Sequence, residues 1–173
     1  AAPFLPFLPL TPTQILLNNF LSDLPSMALS TDRVDAGVLG RPLRWDLRGL
    51  RRFMMGFGLI SSLFDLLCFA WLLWVLRADE AVFRTAWFQV SLLTELAAVL
   101  VLRTQGPVWR SRPGELLSGA LIAMAALALA LPYSGPAAAL LGFVPLGWAA
   151  TAVVLALVLG YAAAIEAAKR WTR

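Results

Sequence analysis

The sequence predicts an all-α polytopic membrane protein: a single transmembrane domain over residues 1–173 built from five transmembrane helices. Three observations carry that prediction. The chain is 60% hydrophobic and only 14% charged, with a mean hydropathy of +0.78, whereas water-soluble domains are about 45–50% apolar and roughly 25% charged. Its apolar residues fall in long runs, and a run of about 20 residues crosses a hydrocarbon core of roughly 30 Å. Its basic residues, 14 in all and all but one of them Arg, sit between those runs rather than within them.

The first predicted span, residues 13–29, is the least hydrophobic, because Gln14, Asn18, Asn19, Ser22 and Asp23 lie within it. Pro3, Pro6, Pro9 and Pro12 precede it at every third position, a spacing that denies a regular helix and predicts an extended apolar entry. The second span, 53–76, is the clearest by length and is interrupted only by Asp65 and by small or hydroxyl residues. The third, 83–102, has its apolar run at 87–102, carries Gln89, Ser91, Thr94 and Glu95, and reaches across a bilayer only because the flank 82–86 joins that run. The fourth, 116–133, is rich in Ala and Leu and stops at Pro132, which has no N–H for a helix interior. The fifth, 146–165, carries no charge before Glu166.

The connections set the orientation. Arg33, Arg41, Arg44, Arg48, Arg51 and Arg52 lie in or beside the connection 30–52. Arg103, Arg110 and Arg112 lie in the third connection, and Lys169, Arg170 and Arg173 follow the last span. Only Arg77 and Arg84 fall in the intervening connections, so alternate connections hold twelve basic residues on one side and two on the other. The positive-inside rule makes the twelve cytoplasmic. The connection 30–52 is then a cytoplasmic loop, the N-terminus is outside, the C-terminus is inside, and the polar first segment must be a true span. Within that loop, Leu43, Leu47 and Leu50 against Arg44, Arg48, Arg51 and Arg52 also fit a short basic helix lying on lipid headgroups. Trp45, Trp71, Trp74, Trp87, Trp148 and Trp171 fall near span ends, where aromatic rings favour the interface.

Topology accounts for the basic charge, so nucleic-acid binding is excluded as its reason despite a pI near 10.2. With no His and a lone Cys68, imidazole or thiolate metal sites and disulfide frameworks are out of reach. Cys68 reads as a small buried hydrophobe. What remains chemically is oxygen. An ionisable side chain near the bilayer centre costs about 2.5–3.5 kcal/mol on insertion scales, and Asp23, Asp65 and Glu95 are the three that meet that cost. On the first span Gln14, Asn18 and Ser22 are four apart, as are Asn19 and Asp23, so amide, hydroxyl and carboxylate oxygens line the helix. Such oxygens suit hard cations such as Mg²⁺ and Ca²⁺. Pro25 adds non-ideal backbone whose freed carbonyls could also coordinate an ion. Glu95, with Ser91 one turn earlier, offers a second oxygen-bearing face that could turn toward Asn19 and Asp23. Asp65 is expected to be satisfied locally by Ser61 and Ser62.

These residues resemble a known family. The stretch LPLTPTQILLNNFLSDLPSMALSTDRVD is similar to the sixth transmembrane helix and following cytoplasmic loop of P-type cation ATPases, most closely the magnesium-translocating branch. RPLRWDLRGLRRFMMGFGLISSLFDLLCF resembles that branch's seventh helix, TAWFQVSLLTELAAVLVLRT its eighth, and RSRP with the two spans ending GYAAAIEAAKRW its ninth and tenth. The resemblance implies that the five helices correspond to helices six to ten of such a pump. It implies that Asn19 and Asp23 match the Asn-x-x-x-Asp pair of the intramembrane ion site, that Ser22 falls where calcium pumps carry a hydroxyl, and that Glu95 falls where they carry a coordinating Glu. The transported ion would be Mg²⁺ or another divalent cation. Two features depart from the magnesium-type pattern, which commonly has an aromatic residue before the Asp and Ser-Gln after it. Here Ser22 precedes Asp23 and Leu24-Pro25 follows.

The DKTGT phosphorylation motif of P-type ATPases does not occur in these 173 residues, so this stretch cannot hydrolyse ATP alone. ATP enters only through domains outside it. The expectation is therefore the C-terminal membrane portion of a pump in the bacterial inner membrane, a fragment or truncated product whose partners are the lipid bilayer, the transported cation and the N-terminal part of the pump. The alternative from a different class is a non-enzymatic membrane subunit or scaffold for another transporter.

Overall fold

A computed structural model of the chain describes residues 5, 7–32, 47–104 and 106–171. Among these residues there are six helices and no strand. Helix α1 spans Pro12–Ala28, α2 Leu47–Ala70, α3 Glu80–Leu102, α4 Glu115–Ala130, α5 Pro136–Leu141 and α6 Trp148–Trp171. The Arg-rich connection lies outside the described residues up to position 46, so the surface helix expected over 41–52 can be compared only from Leu47, where α2 already begins. Pro3, Pro6 and Trp45 also lie outside.

Helix starts follow local chemistry. Thr11 caps α1: its hydroxyl accepts from the Gln14 N–H at 3.3 Å, and the Gln14 side chain accepts from the Thr11 N–H at 3.0 Å. Pro12 stands at the first helical position, where the missing N–H removes no helical bond. Pro25 lies inside the helix and cannot donate to the Leu21 carbonyl. A single tight turn, Leu29–Thr31, then closes the element. Asp79 caps α3 by accepting from the Val82 N–H at 2.8 Å, which brings residues 80–82 into the helix and gives the third span the length it needs. Helix α2 ends in a wide turn, Trp71–Val75, after which Arg77 takes a left-handed conformation (φ 49°).

Four helical segments are long and apolar enough to cross a membrane: Arg51–Val75, Glu80–Leu102, Glu115–Tyr133 and Trp148–Lys169. Helix α1, with 17 residues, is not among them, yet its ends reach opposite ends of the bundle. At one end the Arg84 guanidinium of α3 donates to the Leu8 carbonyl at 3.1 Å, and Gln14 donates to the Leu141 carbonyl at 2.9 Å. At the other, Asp32 pairs with Arg103 at 2.8 Å and accepts from the Gly114 N–H at 2.7 Å. Seventeen α-helical residues plus one tight turn amount to roughly 31 Å, a full bilayer core. The uncharged connection 132–145 is less open than its composition suggests. It holds α5, stopped by Gly142 in the left-handed conformation (φ 72°), and its Val144 N–H donates to Thr85 of α3 at 3.0 Å. The last helix starts at Trp148 instead of Leu146, which is buried, and runs past position 165 to Trp171.

Helix α3 is the centre of the molecule, with α1, α4 and α6 packed around it. Phe83, Ala86, Phe88, Val90, Leu92, Leu93 and Leu96 are buried around most of its circumference, and the stripe with Ser91 and Glu95 is the open side. Helix α2 is peripheral and rests mainly on α6, where Gly160 lets Phe64 approach; a Cβ there would sit 3.3 Å from the ring. Lipid tails are as apolar as Leu, so these helices associate through close packing and a few polar ties, each worth about 0.6 kcal/mol on average. The ties are Asn18 to Glu95 between α1 and α3, Gln89 to the Ala128 carbonyl between α3 and α4, and Ser61 with Tyr161 between α2 and α6. Cys68 is fully buried among apolar side chains, as expected. Trp74 and Trp148 are exposed near helix ends, whereas Trp87 is packed against Phe69 at 4.5 Å.

Candidate intramembrane cation site

The polar groups of α1 divide into two adjacent rows. One turns into the bundle: Gln14, Asn18, Ser22 and Pro25 are buried against α3 and α4. The other row, Asn19 and Asp23, is exposed and stands among the equally exposed Leu16, Phe20, Leu24 and Met27. Asn19 and Asp23 are one turn apart, so both project from the same stripe of helix surface. Neither side chain has a hydrogen-bond partner among the described residues.

The side chains of the four candidate ligands make no hydrogen bonds to one another among the described residues. Ser22 precedes Asp23 but lies in the packed row, and its hydroxyl donates to the Asn19 carbonyl at 3.1 Å. Glu95 does not turn toward Asn19 and Asp23. Its carboxylate accepts from the Asn18 amide at 3.4 Å. A 100° step along the helix separates Asn18 from Asn19, and with polar groups on both rows the sequence spacing alone could not decide which one α3 would meet. Asn18 is the residue that sequence reasoning underweighted. Its signals were the tandem Asn18-Asn19 and its four-residue spacing from Gln14 and Ser22.

Glu95 also opens onto a cleft of about 220 Å³ between α2, α3 and α6. Asp65, Ser61, Ser91, Thr94 and Tyr161 line the same space. Asp65 is not satisfied by Ser61 as expected, because the Ser61 hydroxyl is paired with the Tyr161 hydroxyl at 3.1 Å. Tyr161 comes from α6, about a hundred residues away in sequence, and no local pattern reveals it. The cleft holds two carboxylates and no basic residue in its lining. Gln14, in contrast, is a structural residue, spent on the α1 cap and the α5 loop. Among the described residues no three Asp, Glu, Cys or His side chains gather closely enough to cage a metal ion. A cation held by the described residues alone has at most two carboxylates and takes amide, hydroxyl, backbone or water oxygens beside them.

Residues 7–171 match the family model described as cation transporting ATPase, C-terminus. The chain belongs to that family of P-type cation-transporting ATPases. It is 35% identical over 166 residues to a P-type magnesium-transporting ATPase 1 of Salmonella typhimurium, an overlap covering 93% of this chain and 18% of the relative. It is 37% identical over 139 residues to the protein of the same name in Escherichia coli K12, covering 78% of this chain and 16% of the relative. A further Salmonella relative is 32% identical over 179 residues, covering 99% of this chain. The chain thus spans less than a fifth of the length of these relatives and corresponds to the C-terminal membrane region of such an ATPase. Its apolar helices make it an integral membrane protein.

Proposed function

We propose that this chain is the C-terminal membrane part of a pump that carries a divalent cation, Mg²⁺ in the first instance, across the bilayer. In this reading Asn19 and Asp23 supply two oxygen ligands of the ion site, with Ser22 and Glu95 as further oxygens. ATP is hydrolysed by the N-terminal part of the pump, which also brings the helices that complete the site.

The observation that carries the reading is the exposed Asn19–Asp23 stripe. A carboxylate and a carboxamide one turn apart on an otherwise lipid-like helix face are costly at membrane depth unless a cavity or another helix covers them. The relatives are more than five times as long and have additional chain to cover them with, and they are named as magnesium-transporting ATPases. The orientation has support of its own. Asp32, Arg103 and Lys169 gather at one end of the bundle, with the Lys169 ammonium donating to the Val101 and Gly106 carbonyls at 2.8 and 2.9 Å. That end carries the connection with Arg103, Arg110 and Arg112 and is the cytoplasmic one under the positive-inside rule.

Asp23→Asn in the full-length pump tests the reading. The variant keeps the size and hydrogen-bonding capacity of the side chain and removes its charge. It is expected to lose metal-stimulated ATP hydrolysis by a hundredfold or more while still inserting in the membrane. Stimulation at the wild-type level would overturn the proposal.

A further inference from the structure

Asn18 is 6% exposed, and of the polar side chains in the packed row of α1 it alone is half satisfied. Gln14 is bonded through both its nitrogen and its oxygen, and Ser22 donates to the Asn19 carbonyl. Asn18 donates Nδ2 to Glu95 Oε2 at 3.4 Å, long for an N–H···O bond, and its Oδ1 is buried without a donor among the described residues. An unmet buried oxygen costs about 1–3 kcal/mol, and each such group in a native structure calls for a cause.

Turning the amide over does not by itself cure the defect. Oδ1 would then face the Glu95 carboxylate, acceptor against acceptor. What that second orientation lacks is a positive centre between the two oxygens. Nδ2 and Oδ1 of a carboxamide are nearly isosteric, so a half-turn puts Oδ1 where Nδ2 stands, 3.4 Å from Glu95 Oε2. Neighbouring oxygens around a hard divalent cation with metal–oxygen distances of about 2.0–2.6 Å lie about 2.9–3.6 Å apart. The 3.4 Å already present lies within that range, wider than the roughly 2.9 Å between adjacent oxygens on Mg²⁺, so a bound Mg²⁺ draws the two oxygens about half an ångström closer. Gln89, the other amide with a buried unmet oxygen, donates instead to the Ala128 carbonyl of α4, so its bonded neighbour carries no charge for a cation to balance.

We propose that Asn18 is a further ligand of the transported metal cation: its amide turns over, and Oδ1 together with the Glu95 carboxylate holds the ion. The inference rests on the transport reading above and extends it. Asn18 and Asn19 then place ligand oxygens on both sides of α1, one toward Glu95 and one toward Asp23, so that an ion handed between the two carboxylates passes along successive residues of one helix.

The test uses the full-length pump carrying this chain, assayed for ATP hydrolysis against Mg²⁺ concentration, with Asn18→Leu and Asn18→Asp. Leu removes both the oxygen and the N–H₂. Asp keeps an oxygen and removes only the donor. A metal ligand predicts that Asn18→Leu raises the KM for Mg²⁺ tenfold or more, while Asn18→Asp stays within about threefold of wild type. A residue that merely donates to Glu95 predicts the reverse order, because Asp would set two carboxylates against each other. Asp equal to or worse than Leu overturns the inference, and so does a wild-type KM in Asn18→Leu. A shifted pH profile with an unchanged KM for Mg²⁺ assigns the missing positive charge to a proton and overturns it as well. Should Asn18→Leu fail to fold, Asn18→Asp decides alone. If the wild-type pump shows no metal-stimulated hydrolysis, or Asp23→Asn retains it, the transport reading is what fails.

Discussion

Asp32 and Arg103 form a buried ion pair at 2.8 Å, with side chains 6% and 1% exposed. Such a pair is held by its remaining bonds as much as by its charges. Asp32 accepts from the Gly114 N–H, and the Arg103 guanidinium donates to the Ser111 carbonyl and hydroxyl, so one carboxylate fastens the exit of α1 to the connection between α3 and α4. Removing one partner of a buried pair leaves the other charge uncompensated, at about 3–5 kcal/mol. Asp32→Leu is therefore expected to lower the thermal unfolding midpoint in detergent markedly, and the double variant Asp32→Leu with Arg103→Met to recover part of the loss. An additive double variant would show that the two charges do not act as a pair. The site residues differ in kind. Asn19 and Asp23 lack protein partners among the described residues, so Asp23→Asn is expected to leave the unfolding midpoint within about 1 kcal/mol of wild type while removing metal response. Asp23 is thus expected to matter for metal response and not for stability, and Asp32 for stability.

At the scale of elements, α1 is the helix with two jobs. Its packed row holds it to α3 and α4, and its outer row carries the carboxylate. Helix α5 has a smaller part: Gln14 reaches its Leu141 carbonyl, and Gly142 ends it in a left-handed conformation that other residues enter at a cost. Gly142→Ala is expected to destabilise the fold by about 1 kcal/mol through that backbone conformation, read by chemical unfolding in mild detergent. No loss would mean the turn relaxes freely. The long helices were legible in the sequence because apolar run length and Pro132 act locally, whereas the cap at Asp79 that lengthens α3 emerged only with the structure. Helix α5 was not, since six residues of Pro, Ala and Leu carry no periodicity. The wide turn at Trp71–Val75 also leaves no mark in composition. For the site, the four-residue spacing of Asn19 and Asp23 was enough to place them on one stripe. It could not tell that Ser22 faces the other way, because partners such as Glu95 and Tyr161 arrive from elements 70 to 140 residues further along.

For the whole molecule, the gathering of Asp32, Arg103 and Lys169 at one end and of Leu8, Arg84 and Leu141 at the other makes the two faces of the bundle distinguishable. In a Cys68→Ala background, Ser134→Cys is expected to react in intact cells with a membrane-impermeant maleimide, and Arg112→Cys only after permeabilisation. Both positions are exposed, so the reverse pattern would invert the orientation. The charge count alone suggested that arrangement, because the positive-inside rule acts on the connections and not on the packing. The position of α3 was beyond its reach. A chain enters the membrane in order of synthesis, and α3, the centre of the bundle, is laid down before α4 and α6, two of the helices that wall it. Until α6 is made, the side of α3 bearing Ser91 and Glu95 has only α1 and α2 against it, and Tyr161 is not yet there to close the cleft. The cleft that Glu95 and Asp65 share is thus completed late, by the last helix described, and a ribosome that stalls between α4 and α6 leaves two carboxylates in the bilayer with one wall unbuilt.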